Sequence, residues 1–162
     1  MINFKPINNF KPGQIHKLVK ICYQGLIEYF PNEKQRLYHQ WENEDKAAFQ
    51  NMNTIGRQVL FTCFNDKLIG YFCWDDRQYP IGMVGQNCIL PDYQGLGYGM
   101  KQIEMIKNIF KDKKFEKMTA VTGDHKFFIP AQKMYEKCGL EIKEKRKGDL
   151  FELIEYIGIL IG

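Results

Sequence analysis

The sequence has few cysteines, and they form no recognisable pattern. Its 162 residues include five cysteines, none of them in a Cys-x-x-Cys pair. Most of them lie in apolar segments, where a cysteine behaves as a small hydrophobic residue. This usage argues against a disulfide framework or a zinc site and is typical of a reducing compartment. We therefore expect no metal and a cytoplasmic protein.

Long apolar runs are absent as well. No stretch reaches the roughly 18 apolar residues of a membrane span, and the first six residues lack the apolar core of a secretory signal. No internal repeat or low-complexity linker is visible. Hydrophobic residues make up 44% of the chain, enough to fill one core. We expect a single domain over residues 1–162 and no membrane partner.

The sequence also lacks a strong excess of charges of one sign. The formal net charge is +4, which gives little support for nucleic-acid binding. Lysines are nevertheless dense in one segment: Lys101, Lys107, Lys111, Lys113, Lys114 and Lys117. They can be a solvated helix face or a local positive field that attracts a polyanionic ligand, and the two interpretations are compatible.

Residues 91–100 are the most informative stretch that is present. Gly95, Gly97 and Gly99 alternate there, between an apolar run and an amphipathic segment. Glycines allow backbone N–H groups to approach a ligand closely, and a helix that begins there directs its free N–H groups to the same place. This predicts a phosphate-binding loop. The glycine spacing fits neither the dinucleotide fingerprint nor the nucleoside-triphosphate loop.

Hydrophobic periodicity predicts the element order β-α-α-β-β-β-α-β-α-β-β. The predicted strands are residues 2–7, 57–64, 67–75, 81–90, 117–121, 142–147 and 151–156. The first predicted helix begins at residue 12, and the second covers residues 32–51. The third follows the glycine loop, and the fourth covers residues 130–138. Hairpins in the first half and β-α-β units in the second half indicate an α+β domain with a mixed sheet.

Two motifs in this order resemble the GNAT superfamily of N-acetyltransferases. Gln94-Gly95-Leu96-Gly97-Tyr98-Gly99 fits the pattern Gln/Arg-x-x-Gly-x-Gly/Ala of its acyl-CoA pyrophosphate loop. Residues 131–140, with Ala131, Tyr135, Gly139 and Leu140, are similar to its Ala-x-x-x-Tyr-x-x-x-Gly-Phe helix, with Leu140 in place of Phe. The resemblance implies a mostly antiparallel sheet of six to seven strands flanked by four helices. It also implies acetyl transfer from acetyl-CoA to a primary amine by direct attack in a ternary complex.

The resemblance also implies which residues bind acetyl-CoA. The glycine loop would hold the pyrophosphate, and the strand before it would pair with the pantetheine and donate an N–H to the thioester carbonyl. The residues assigned to acetyl-CoA are Cys88, Ile89, Leu90, Gln94, Gly95, Leu96, Gly97, Tyr98, Gly99 and Met100. Tyr135 would be the catalytic acid for the departing thiolate, since a phenol is protonated at neutral pH.

The catalytic base is less clear from the sequence. Many relatives place a carboxylate on the strand before the glycine loop, where this chain has Gln86 and Asn87. Alternatives are Asp75, Asp76, Asp124, His125 and Glu28. We assign Asp124 and His125, which directly follow a predicted strand, although His125 can equally be an exposed loop residue or a helix-start group. A proton relay through water would make a base unnecessary. Phe128 also replaces a family Asn that often contacts pantetheine or water.

The acceptor is expected to be a small-molecule or peptide amine. In the family, acceptor contacts come from the first two helices and from the loop before the glycine-loop strand. Glu28, Tyr29, Trp74 and Asp75 lie there, and aromatic and acidic groups suit a cationic amine. Polyamine, aminoglycoside, amino acid and protein N-terminus all stay open, as do monomer and homodimer. An alternative function is a non-catalytic acyl-CoA-binding regulatory module.

Overall fold

The structure is a computed structural model, and it describes residues 1–161. Within them, seven strands and five α-helices are formed, joined by short 3-10 turns. The strands are β1 Ile2–Pro6, β2 Val59–Phe64, β3 Lys67–Asp75, β4 Ile81–Ile89, β5 Lys117–Gly123, β6 Glu141–Arg146 and β7 Leu153–Ile159. The helices are α1 Gln14–Cys22, α2 Gln24–Tyr29, α3 Lys34–Gln50, α4 Tyr98–Asp112 and α5 Ile129–Lys137.

The strands form one mixed sheet in the order β1-β2-β3-β4-β5-β7-β6. β1, β2 and β3 pair antiparallel, as do β5, β7 and β6, whereas β4 and β5 run parallel. The predicted α+β class with a mostly antiparallel sheet is therefore confirmed. The β2–β3 hairpin also turns where predicted, at Asn65 and Asp66, whose φ angles of 47° and 68° are left-handed.

The predicted number of helices was too low by one. The first predicted helix is divided at Tyr23, whose N–H caps α1 by donating to Val19 O at 2.9 Å. The carbonyl of Tyr23 then accepts from Leu26 N at 3.0 Å to begin α2. Gly25 lies in the first turn of α2, and its low helix propensity favours a break over one continuous helix. Apolar periodicity continues through such a break, so it does not reveal one.

The chain divides into two compact units. The first comprises Met1–Cys73 and Gln86–Tyr98, and the second comprises Trp74–Gly85 and the residues from Gly99 onward. In the first unit, α1 packs on α3, and Val19, Phe61, Ile69 and Phe72 are completely buried. No helix in the described residues is long and apolar enough to cross a membrane.

A buried carboxylate joins two helices of the first unit. Asp45 of α3 is 2% exposed and accepts hydrogen bonds from Gly13 N at 2.8 Å and from His16 N at 3.0 Å. These N–H groups belong to the N-terminus of α1, which lacks a cap from its own Gly13. Asp45 therefore supplies the cap from another helix and opposes the positive end of the α1 dipole.

The second unit is built around α4. Ile103, Ile106 and Phe110 of this helix are completely buried. Gly82 of β4 lies directly under the Phe110 ring, because a Cβ at Gly82 would come within 2.5 Å of it. Gly82 thus allows α4 to approach β4. In this region, Ile81–Met83 of β4 pair with the first three residues of β5.

Candidate active site

The glycine loop at the end of the first unit has two left-handed residues. Gly95 and Gly97 have φ angles of 78° and 86°, which side chains rarely allow. A Cβ built at either position would meet no atom within 4 Å. Crowding by the protein therefore does not explain these glycines. The left-handed backbone itself is the reason for glycine here, and the open space at each Cβ position leaves room for a ligand.

Gln94 closes this loop onto the strand that precedes it. Its side-chain Nε2 donates to the carbonyl of Ile89 at 2.8 Å. The Leu90 N–H donates in turn to Ile69 O of β3 at 2.7 Å, which fixes the end of β4. The sequence assigned Gln94 to the pyrophosphate. The structure shows that its amide holds the loop against β4, and the pyrophosphate contact stays a prediction.

Cys88 and Ile89 are buried at the end of β4. A Cβ at Gly70 of β3 would come within 2.2 Å of the Cys88 carbonyl oxygen, so Gly70 lets the two strands approach. Burial raises the pKa of the Cys88 thiol well above its ordinary value, and a hydrogen bond with Cys22 raises it further. A thiol in this state is a poor nucleophile.

Helix α4 begins with Tyr98, directly after the loop. It is 15 residues long and has no acidic residue in its first turn. The helix dipole at this end is therefore not offset by a carboxylate of that turn. Gly99, the third glycine of the loop, lies close to α5, since a Cβ there would be 3.0 Å from Met134 Sδ. The start of α4 thus packs against the helix that carries Tyr135.

The lysines around α4 divide into two groups. Lys113 forms an ion pair with Asp76 at 2.7 Å, and Lys107 Nζ donates to Cys138 O at 3.5 Å. Lys101 and Lys111 are exposed on the helix. The structure therefore shows a partly paired surface, and both interpretations of the lysine cluster remain compatible with it.

In the second unit, the helix motif has a clear structural basis. Gly139 has a φ of 89°, its N–H donates to Glu136 O at 3.0 Å, and Leu140 N donates to Tyr135 O at 3.1 Å. These two bonds form the Schellman ending of α5. Leu140 is buried and contacts Gly158 of β7. An apolar residue suits this buried position after the glycine, and Leu140 fills it.

Tyr135 is 3% exposed and lies at the last turn of α5. Its ring centroid is 5.5 Å from that of Tyr156 on β7. Burial raises the pKa of Tyr156, and the nearby carboxylates Glu136 and Asp124 raise it further. The structure thus places Tyr135 in a packed aromatic pair, held against the sheet of the second unit.

Asp124 and His125 follow β5, as predicted, and both side chains have partners. Asp124 Oδ2 pairs with Lys145 Nζ at 3.2 Å. His125 Nδ1 accepts from Phe127 N at 3.1 Å and caps the 3-10 turn before α5. In the neutral ring this leaves the proton on Nε2. The helix-start role that the sequence left open for His125 is therefore present.

The four residues assigned to the acceptor lie in different parts of the chain. Glu28 and Tyr29 are exposed on α2 of the first unit. Trp74 and Asp75 belong to the second unit, with Trp74 buried. Hydrogen bonds from Arg77, at 2.9 and 2.7 Å, hold the pKa of Asp75 below its ordinary value. In the described residues, no group of three or more His, Cys, Asp and Glu side chains is arranged to hold a metal ion.

Sequence reasoning missed a side-chain pair on β3 and β4. The Tyr71 hydroxyl donates to Oε1 of Gln86, and Cys73 Sγ donates to the Gln86 carbonyl at 3.5 Å. Burial raises the pKa of Tyr71 well above its ordinary value. Gln86 was noted only for the carboxylate it replaces. The register between two strands decides which residues face each other, and the sequence carries no local signal of it.

Comparisons with known proteins agree with this geometry. The model of the acetyltransferase (GNAT) family matches residues 15–140. A sequence search of curated proteins finds no match. A protein from Desulfovibrio desulfuricans assigned to the GNAT family has a similar structure, with a TM-score of 0.76, 14% identity, and coverage of 99% of this chain and 100% of that one.

Two further solved structures are similar in fold. The ribosomal-protein-S18-alanine N-acetyltransferase from Escherichia coli has a TM-score of 0.66 and 11% identity, over 99% of this chain and 94% of that one. A candidate streptothricin acetyltransferase from Bacillus anthracis, solved with acetyl coenzyme A, has a TM-score of 0.55 and 18% identity, over 61% and 60% of the two chains. Because the family model spans most of the sequence, including both motifs, the chain belongs to the GNAT acetyltransferase family.

Proposed function

We propose that the protein transfers an acetyl group from acetyl-CoA to a primary amine by direct attack in a ternary complex, with residues 1–162 acting as one acetyltransferase domain. The observation that carries this proposal is the loop before α4. Two left-handed glycines leave open space beside their backbone, and the helix after them has no acidic residue in its first turn. Such a site suits a pyrophosphate.

Acetyl-CoA fits the residues that are present. Gly95 to Met100 would hold the pyrophosphate through backbone N–H groups, and Gln94 would keep the loop in shape through Ile89. The backbone of Cys88, Ile89 and Leu90 would pair with the pantetheine amides as a strand pairs with its neighbour. The bound group supplies an activated acetyl thioester. The Bacillus anthracis relative, which is solved with acetyl coenzyme A, supports this choice of cosubstrate.

Tyr135 is the proposed acid. Its hydroxyl would give a proton to the CoA sulfur as the thioester bond breaks and the new amide bond forms. The attacking amine must lose one proton in the same reaction. Asp124 and His125 are the proposed acceptors of that proton, with relay through water as the alternative. Because Nδ1 of His125 accepts from Phe127 N and Nε2 carries the ring proton, His125 would have to release Phe127 N before it could take the proton at Nδ1.

The test measures release of free CoA with a panel of primary amines. We expect Tyr135→Phe to lower kcat by about 100-fold, a typical contribution of a positioned acid, with little change in the affinity for CoA. Tyr156→Phe is the matched control, since it removes a hydroxyl from the ring that packs on Tyr135. Equal turnover by wild type and Tyr135→Phe would remove Tyr135 from the mechanism. The same assay on His125→Ala across pH tests proton uptake by His125.

The second candidate is a module that binds acyl-CoA without turnover. It is favoured by Gln86, which stands where many relatives have a carboxylate and is bound to Tyr71. Calorimetry decides between the two functions when it is combined with the amine panel. Tight CoA binding with no acetylated product from any amine would support the binding module and contradict the transferase.

A further inference from the structure

The Gln86 side chain is fixed at its oxygen end. The hydroxyl of Tyr71 donates to Oε1, and Tyr71 is 3% exposed, so the donor has little freedom to move. The Tyr71 ring is held in turn by Phe61, whose centroid is 6.3 Å away. Gln86 is only partly buried. The contact therefore links a rigid core residue to a side chain that a ligand can reach.

The backbone of Gln86 is fixed as well. The Cys73 thiol donates to its carbonyl at 3.5 Å, from the same strand that carries Tyr71. Oε1 of the amide accepts from Tyr71. The amide nitrogen, Nε2, carries two N–H donors that are not used in this contact. A rotation that exchanged Oε1 and Nε2 would turn the Tyr71 hydroxyl from donor into acceptor. The structure has the orientation in which Oε1 faces this hydroxyl and Nε2 points away from it.

This orientation matters because of where Gln86 lies. It is two residues before Cys88 on β4, so its side chain is on the same face of the strand, about 7 Å along it. The Cys88 region is where the proposed function places the thioester. An N–H donor there cannot take a proton from an ammonium group, and it repels the N–H groups of one. It does bind an oxygen acceptor, such as a carbonyl or a carboxylate.

Resting on the proposed function, we propose that Tyr71 is a positioning residue that fixes the Gln86 amide, so that Nε2 donates to a carbonyl or carboxylate oxygen of the acceptor, on the carbon bonded to its amine-bearing carbon. The substrate class is then an α-amino acid or the amino-terminal residue of a peptide. Both carry a carbonyl or carboxylate oxygen beside the reacting amine. A plain alkylamine or polyamine lacks this oxygen and gains nothing from Gln86.

The experiment compares three acceptors of similar shape. Alaninamide carries a carbonyl beside its amine and represents a peptide end, alanine carries a carboxylate, and isopropylamine carries neither. The measured quantity is the ratio of kcat/KM for alaninamide to that for isopropylamine, in wild type and in variants. A loss of folding or of acetyl-CoA binding lowers both values equally and leaves this ratio unchanged. The ratio for alanine to alaninamide separates free amino acids from peptides.

We expect Gln86→Leu to lower the alaninamide to isopropylamine ratio about tenfold, the loss of one hydrogen bond. Tyr71→Phe should lower it by about threefold, because the amide remains but can rotate. Gln86→Glu should lower the ratio as well, since a carboxylate repels the oxygen and attracts the ammonium. An unchanged ratio in Gln86→Leu would overturn the inference. An unchanged ratio in Tyr71→Phe alone would overturn the positioning role.

Failure of the proposed function gives a different result. If wild type acetylates none of the three amines, calorimetric titration of alaninamide and isopropylamine into the CoA-saturated protein gives a ratio of dissociation constants. Tighter binding of alaninamide that Gln86→Leu abolishes would support recognition of the oxygen in a protein without turnover. Equal binding of the two amines by wild type would overturn this inference, whatever the outcome for catalysis.

Discussion

Gly97 offers a way to separate the shape of the glycine loop from its binding role. Its φ of 86° is left-handed, and a Cβ there would meet no protein atom within 4 Å. Replacing Gly97 by Ala therefore introduces strain and no clash. The strain is about 1–2 kcal/mol for an L-residue in this conformation. The stiffer unfolded chain offsets about 0.4–1 kcal/mol of it. The expected net loss in the free energy of unfolding is about 1 kcal/mol.

The effect on CoA binding has a different origin. If the open space beside Gly97 receives the pyrophosphate, any Cβ occupies part of that space and separates an N–H group from the anion. A hydrogen bond to a charged group contributes about 1.5–3 kcal/mol, so CoA should bind about 10- to 150-fold more weakly. Urea denaturation measures the first effect, and calorimetric titration with CoA measures the second.

Gly97→Asn is the variant that tells the two effects apart. Asparagine tolerates the left-handed region better than alanine but has a larger side chain. We expect the stability to decrease in the order Gly, Asn, Ala, and the CoA affinity to decrease in the order Gly, Ala, Asn. The two rankings should thus differ. If Asn restores CoA affinity together with stability, Gly97 serves only the turn, and the reasoning that places a ligand beside it is refuted.

Two further predictions concern stability. Asp45→Ala should lower the free energy of unfolding by about 3 kcal/mol in urea denaturation, since two buried N–H groups lose a charged acceptor. Asp45→Asn keeps one acceptor oxygen and should lose about half of that. A loss below about 0.5 kcal/mol for Asp45→Ala would contradict the capping role. Burial raises the pKa of Cys138 from 9.0 to about 11. The stability that the buried, protonated thiol contributes is therefore present below pH 9 and is lost as the pH rises through 11. Wild type should therefore lose more stability than Cys138→Ala between pH 9 and pH 11, and parallel pH curves for the two proteins would show that the shift is absent.

Much of the fold follows from local patterns. Strand β3 begins and ends where predicted, and β4 and α5 differ from their predicted bounds by one residue. The boundaries were predictable because glycine, proline and the hydrophobic period act within a few residues. The break at Tyr23 was not, since apolar residues continue on both sides of it. Capping of α1 by Asp45 was also not predictable, because its donors lie 32 and 29 residues away in the sequence.

The sequence by itself determined the family and the glycine loop, because the spacing of Gly95, Gly97 and Gly99 and the Tyr135–Gly139 motif are properties of short segments. The resemblance to the family further implied that Gln86 lies at a position where many relatives have a carboxylate. Only the tertiary structure decided which residues Gln86 contacts. The register of β3 and β4 brings Tyr71 to its side-chain oxygen, and a register is set by the packing of whole strands. Likewise, only the folded chain showed that His125 Nδ1 caps a turn and that the space beside Gly95 and Gly97 is open, since both depend on atoms brought together by folding.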